Sequence, residues 1–222
     1  MLTIIIPFFN YKKFLDRCLN SIYKIKNDKD YEVILIDDGS KEDISGIVKK
    51  YKCKYENFKF VRKSNGGLSH TINHGIKISK YDYICKIDPD DTVSEIYFDK
   101  IFQNISTKKL VYFFNYNLIE KNKMKKIDQS KVMLRSLEYP IGSTLVINKS
   151  VFNIIGNYGS KFFYMDDFAT WLKIKKKINL EDIFFINEYL YNYHIHGENM
   201  SNKIIKKNIT KIILFFALKI VN

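Results

Sequence analysis

Three carboxylates fall within four residues at Asp88-Pro89-Asp90-Asp91, directly behind an apolar run. Charges so close repel one another unless solvent or a cation relieves them. Pro89 holds Asp88 extended, which turns its side chain away from that of Asp90. Hard oxygen donors of this kind suit Mg²⁺ or Mn²⁺, with substrate phosphates completing the shell. The same residues also read as an acidic turn that caps a helix over 94–103, and composition alone does not separate the two. An earlier apolar run ends in Asp37-Asp38-Gly39-Ser40. A carboxylate there can accept from a base N–H or a ribose hydroxyl while Gly39 permits the tight turn, although an ordinary turn with a helix cap has the same composition. Asn65-Gly66-Gly67-Leu68-Ser69 is a loop able to approach a diphosphate, a weak signal by itself. Asp166-Asp167 opens an expected helix, where acidic residues also serve as dipole complements.

These residues need a scaffold that collects strand ends. Ile4-Ile5-Ile6 starts the chain as a buried strand, followed by Phe14, Leu15, Cys18, Leu19 and Ile22 at helical spacing. Residues 31–37 predict a second strand, 42–51 a helix, 58–62 a third strand, 69–79 a helix and 81–87 a fourth strand. Repeated βα units predict a mostly parallel sheet with helices on both faces, and ligands above its carboxyl ends. Beyond residue 92 the pattern is less regular: strands are expected over 110–116 and 143–147, a polar loop or hairpin over 120–130, and a helix over 166–177. One domain over 1–202 is expected, with a nucleotide platform (1–91) and an acceptor-side half (92–202). Residues 203–222 form a basic amphipathic tail that can lie on a membrane interface or pack on protein.

The 222 residues carry a formal charge of +13, yet only Arg17, Arg62 and Arg135 among the 37 basic residues are arginines. Dedicated readers of bases and phosphates use arginine forks at their decisive contacts, so nucleic acid is not the expected partner. Cys18, Cys53 and Cys85 are an odd number without metal spacing, which predicts reduced thiols and a cytoplasmic protein, with the tail allowing contact with the inner face of the plasma membrane. No secretory leader or stretch of about 18 apolar residues is visible.

In this order the segments resemble the inverting glycosyltransferases of family 2, which have the GT-A fold. The resemblance runs from Thr3 to about Ser201 and rests on Pro7-Phe8-Phe9-Asn10, Asp37-Asp38-Gly39-Ser40, Asn65-Gly66-Gly67-Leu68-Ser69 with Asn73 and Gly75, Asp88-Pro89-Asp90-Asp91, and Asp166-Asp167. Tyr193-His194-Ile195-His196 with Asn199 and Ser201 is similar to the family's closing motif. The resemblance implies a UDP-sugar donor, a glycan or lipid-linked glycan acceptor and a role in bacterial surface polysaccharide, lipooligosaccharide or capsule synthesis. Pro7, Phe9, Asn10, Asn65 and Gly67 would border the donor, Asp38 would bind uracil and Asp88 the ribose. Asp90 would hold Mn²⁺ or Mg²⁺, with His196 as a second candidate ligand. Asp167 would be the catalytic base, with Asp166 and Trp171 on the acceptor side. Two positions depart from the pattern: Ile72 stands where the family usually has arginine, and Asp166 replaces the usual glutamate. The alternatives are a nucleotidyltransferase acting on sugar phosphates, whose Gly-rich opening is absent after the first strand, and a basic RNA- or membrane-binding module, which leaves the acidic strand ends unexplained.

Overall fold

The computed structural model describes residues 1–26, 30–121, 123–134, 138–159 and 166–199. Its first strand, β1 (Leu2–Phe8), is buried at every position, as a strand covered on both faces must be. Ile4, Ile6 and Phe8 join the core that contains Leu15, Leu19 and Ile22 of α1 (Lys12–Tyr23). Ile5 points the other way, into a cluster with Ile34, Ile36 and Ile84. Helix α3 (Leu68–Ile78) covers that second cluster so closely that a Cβ on Gly75 would come within 2.8 Å of the Ile5 side chain.

β1 pairs in parallel with β2 (Tyr31–Asp37) and with β4 (Tyr83–Lys86), and β3 (Phe58–Arg62) adds to β2 in parallel. Four carboxyl ends thus point the same way. Beyond β4 the sheet continues through β8 (Leu145–Asn148), β6 (Val111–Glu120), β9 (Ile183–His194) and β5 (Thr92–Val93). β8 runs antiparallel to both of its neighbours, while β9 is parallel to β6. The full order is β3-β2-β1-β4-β8-β6-β9-β5. A second core under this half joins Phe113, Leu145 and Ile147 to Val151 and Ile155 of α5 (Val151–Ile155) and to Trp171 and Ile174 of α6 (Asp166–Lys177). α4 (Tyr97–Ile105) buries Tyr97, Phe98 and Ile101 in the first core.

The predicted α/β architecture is present, and several boundaries move for identifiable reasons. The helix expected from residue 42 is α2 (Ser45–Lys54), because Asp43 Oδ1 accepts from Ser45 N–H at 2.9 Å and makes a local turn first. Of the loop and hairpin alternatives for 120–130, the described residues show strand pairing, with β7 (Lys123–Ile127) on β6; its lysines are exposed, as befits a strand edge that must resist pairing. β9 was not expected as a long strand. Its burial does not alternate, and its register on β6 shifts around Asn115, so period-2 patterning is lost. The tail at 203–222 lies outside the described residues. Among the described residues no helix is long and apolar enough to cross a membrane.

Candidate active site at the strand ends

The ends of β1 and β2 are stitched together before any ligand arrives. Asp38 N–H donates to the Phe8 carbonyl at 2.8 Å. Asn10 sits in the left-handed region (φ 55°), which asparagine tolerates, and its side-chain oxygen accepts from Lys41 N–H while its own N–H donates to Ser40 Oγ. Pro7 lies in register with Ile36 one residue before the end of β1, and Phe9 is 45% exposed, its ring available to a flat ligand. Asp38 is buried. Its oxygens accept from Gly66 N–H at 2.9 Å, from Gly67 N–H at 2.8 Å and from Lys63 Nζ, while Asn65 Nδ2 donates to its carbonyl. Asp38 therefore shapes the Asn65-Gly66-Gly67 loop through three donors on its two carboxylate oxygens. Gly39 (φ +77°) must be glycine, because a Cβ would lie 2.9 Å from Asn65 N. Ile72 is buried in α3, so no cation stands at its position, and Lys63 is engaged with Asp38.

The acidic loop after β4 divides its carboxylates between three tasks. Asp91 is buried and ties β9 down, accepting from Tyr191 Oη at 2.6 Å and His194 N–H at 2.8 Å. Burial, with Asp90 and Asp88 nearby, pushes its pKa well above the ordinary range. Asp90 faces the closing segment: its Oδ2 is 2.9 Å from His196 Nε2 and accepts from Asn199 Nδ2 at 3.4 Å. Burial and the neighbouring Asp88 charge raise its pKa, an effect that His196 only partly offsets. Arg17 donates to the Asp90 carbonyl at 2.5 Å, and the Tyr11 hydroxyl, pushed up to about 12 by burial and by Asp90, caps the far side through the Glu198 carbonyl. Asp88 accepts from Ser143 Oγ at 2.6 Å and, with both oxygens, from Lys86 Nζ at 2.8 Å.

Asp167, in the first turn of α6, meets this loop from the other half of the sheet. Its Oδ2 accepts from Gly142 N–H at 3.0 Å and lies 3.8 Å from Lys86 Nζ, while its Oδ1 accepts from the Tyr158 hydroxyl. Burial and the Asp167 charge raise the Tyr158 pKa well above the ordinary phenol value, so Tyr158 stays a donor. Asn73 of α3 holds the Tyr158 backbone from both sides, accepting from its N–H at 2.8 Å and donating to its carbonyl at 3.1 Å. The Gly-Gly loop, its helix and Asp167 are thereby mechanically linked. Asp166 is half-buried beside Gly159, whose added Cβ would strike Ser69 and Asp166. Trp171 is placed differently from the sequence expectation. It is fully buried against Phe113 in the second core, so it supports α6 from beneath rather than presenting a surface to an acceptor.

Lys86, Gly142, Ser143 and Tyr158 were not singled out from sequence. Only Lys86 carried a visible signal: a lone cation inside the apolar run Tyr83-Ile84-Cys85-Lys86-Ile87. Among the described residues no three His, Cys, Asp or Glu side chains group into a closed metal cage.

A mostly parallel sheet whose carboxyl ends gather carboxylates and a Gly-rich loop, with helices around it, defines an α/β protein of the GT-A type. The family model for glycosyl transferase family 2 matches residues 3–211, and the chain belongs to that family. An uncharacterized glycosyltransferase of Rickettsia typhi is 26% identical over 221 residues, covering 91% of this chain and 66% of that protein. The poly(ribitol-phosphate) beta-glucosyltransferase of Bacillus spizizenii is 36% identical over 95 residues, covering 41% of this chain and 15% of its own. The crystal structure of S. aureus TarS 1–349 in complex with UDP-GlcNAc superposes with a TM-score of 0.74 at 21% identity, covering 90% of this chain and 60% of that one. The chain thus spans less than two thirds of the TarS fragment and about two thirds of the Rickettsia protein.

Proposed function

We propose that the chain transfers a sugar from a nucleotide-sugar donor, UDP-linked, to a hydroxyl of a glycan acceptor with inversion at the anomeric carbon. The setting that fits is synthesis of a bacterial surface polysaccharide, lipooligosaccharide or capsule at the cytoplasmic face of the membrane, with residues 203–222 as the candidate membrane contact. The observation that carries this reading is the meeting of Asp88 and Asp167 on one buried ammonium, Lys86, which supports a site shared by the acidic loop and the candidate base. Family membership supplies the reaction class. The UDP-GlcNAc bound by TarS and the glucosyl transfer named for the B. spizizenii relative support a UDP-sugar and a surface-polymer acceptor.

In this scheme residues 1–91 hold the donor and 92–202 the acceptor. Phe9 offers a face to the base, and the amides of the loop that Asp38 organises border the diphosphate. Asp90 and His196 are the residues that would hold Mn²⁺ or Mg²⁺. One carboxylate with one imidazole fits an ion whose remaining sites are filled by substrate oxygens, and the charge of Asp90, disfavoured by burial and by Asp88, gains from a cation. When bound, such an ion neutralises charge developing on the departing diphosphate. Asp167 accepts the proton of the attacking hydroxyl. Tyr158 and Gly142 fix its orientation, so the reacting atoms meet without a search.

A panel of UDP-sugars, assayed for Mn²⁺-stimulated UDP release and for transfer to glycan acceptors, tests the proposal. An α-linked donor should give a β-linked product by NMR of the anomeric proton. An α product would contradict single displacement, and salt-sensitive RNA binding without any UDP-sugar turnover would favour the basic-module alternative.

A further inference from the structure

Lys86 is the one buried lysine among the described residues. It closes β4, the central strand that runs into the acidic loop. Its Nζ donates to both oxygens of Asp88 at 2.8 Å and stands 3.8 Å from Asp167 Oδ2. Desolvation alone would drive a buried ammonium toward its neutral form; Asp167 and Asp88 outweigh it and hold the charge. The same two carboxylates are gripped by consecutive residues of the short 3₁₀ turn Gly142–Thr144: Gly142 N–H donates to Asp167, and Ser143 Oγ to Asp88. Two carboxylates from opposite halves of the chain are thus registered against each other by one cation and one turn.

We propose that Lys86 is a positioning residue: a shared counter-ion that fixes Asp167 relative to Asp88 and balances the charge the two carboxylates bring together. The inference rests on the reading of Asp167 as the base and adds the residue through which the donor side and the base communicate. With Lys86 in place, the trio carries one net negative charge before Asp167 takes the acceptor proton and none afterwards. Without it two uncompensated carboxylates face each other. Tyr158 ahead of α6 and Tyr139 also face Asp167, and Asp166 acts on Tyr158; Lys86 is faced in addition by Asp91.

Carbon-13 NMR of the full chain labelled at the aspartate side-chain carboxyl tests this without any donor, with the Asp167 resonance assigned through Asp167→Asn. Lys86→Met removes the charge at similar volume and should move the Asp167 carboxyl resonance at fixed neutral pH. Lys86→Arg should bring it most of the way back. An unmoved resonance in Lys86→Met overturns the proposal. Where Lys86→Met fails to fold, nitrogen-15 spectra of lysines serve instead: the Lys86 Nζ signal should move on Asp167→Asn, and an unmoved Nζ overturns the proposal equally. A moved resonance in a protein that turns over no UDP-sugar would sink the functional reading and leave this one standing; turnover with an unmoved resonance would do the reverse.

Discussion

Gly142→Ala probes the candidate base without substituting it. A Cβ at this position would lie 2.5 Å from the Tyr158 hydroxyl and closer still to Oδ1 of Asp167, whereas real Cβ atoms essentially never come within 3.0 Å of a heavy atom. Restoring ordinary contact requires the carboxylate to withdraw by roughly 1 Å, since van der Waals contact is optimal near 3.5–4.0 Å. A displacement of that size in a reacting group is expected to cost about 10²-fold in turnover. The accompanying overpacking should lower stability by about 1–3 kcal/mol. The atoms nearest the new methyl belong to Asp167 and Tyr158, not to the loop that Asp38 holds. The assay pairs steady-state transfer, followed as UDP release, with calorimetry of UDP and Mn²⁺. The expected pattern is a collapsed kcat with donor affinity nearly unchanged. A variant within threefold of the parent rate would refute the claim that the Gly142 contact sets the position of Asp167.

Asp90→Ala should abolish the part of UDP affinity that depends on Mn²⁺ while leaving the metal-free part, and EDTA should mimic it on the parent; affinity indifferent to both would exclude Asp90 as a metal contact. Gly75→Ala should lower the denaturant midpoint by an amount equivalent to about 1–3 kcal/mol, because the new methyl meets Ile5 at 2.8 Å and Ile36 at 3.0 Å; an unchanged midpoint would mean that α3 does not sit this close to the sheet. Glu32 supplies the pH prediction. Burial pushes its carboxyl up, but Lys59, the Lys80 amide and Thr3 prevail and hold it below its ordinary value of 4.5. Its stabilisation is therefore present above that value and lost as pH falls beneath it. Glu32→Gln should cost about 1–3 kcal/mol near neutrality, with the difference from the parent shrinking below pH 4.5 in thermal melts; a constant difference would contradict the ionic origin.

What could be read from sequence divides along physical lines. The β1, β2 and β4 segments were legible because strands buried on both faces are largely apolar runs, and the polar ends of β2 and β4 announced the loops at Asp38 and Asp88. α6 was legible because Asp166-Asp167 begins a helical apolar pattern that ends in lysines. β9 was not, since its half-buried aromatic residues and shifted register leave no period. Trp171 shows the limit in the other direction: a large aromatic near a catalytic motif looks like a binding platform, yet here it fills the core. The partners of Asp167 were invisible for another reason. Gly142 and Tyr158 act through a backbone amide and a hydroxyl brought in by long connections, and neither residue type is unusual where it stands. Lys86 alone broke the local pattern, and its meaning needed both carboxylates in view.

The most direct measurement compares transfer by Asp167→Asn with its binding of UDP and Mn²⁺. The substitution keeps the size and most hydrogen-bonding capacity of the side chain but removes its ability to take a proton. Turnover should fall by roughly 10²–10⁴-fold while UDP affinity stays close to that of the parent. Near-parental turnover would show that the acceptor proton goes elsewhere and that these strand ends have been given the wrong roles.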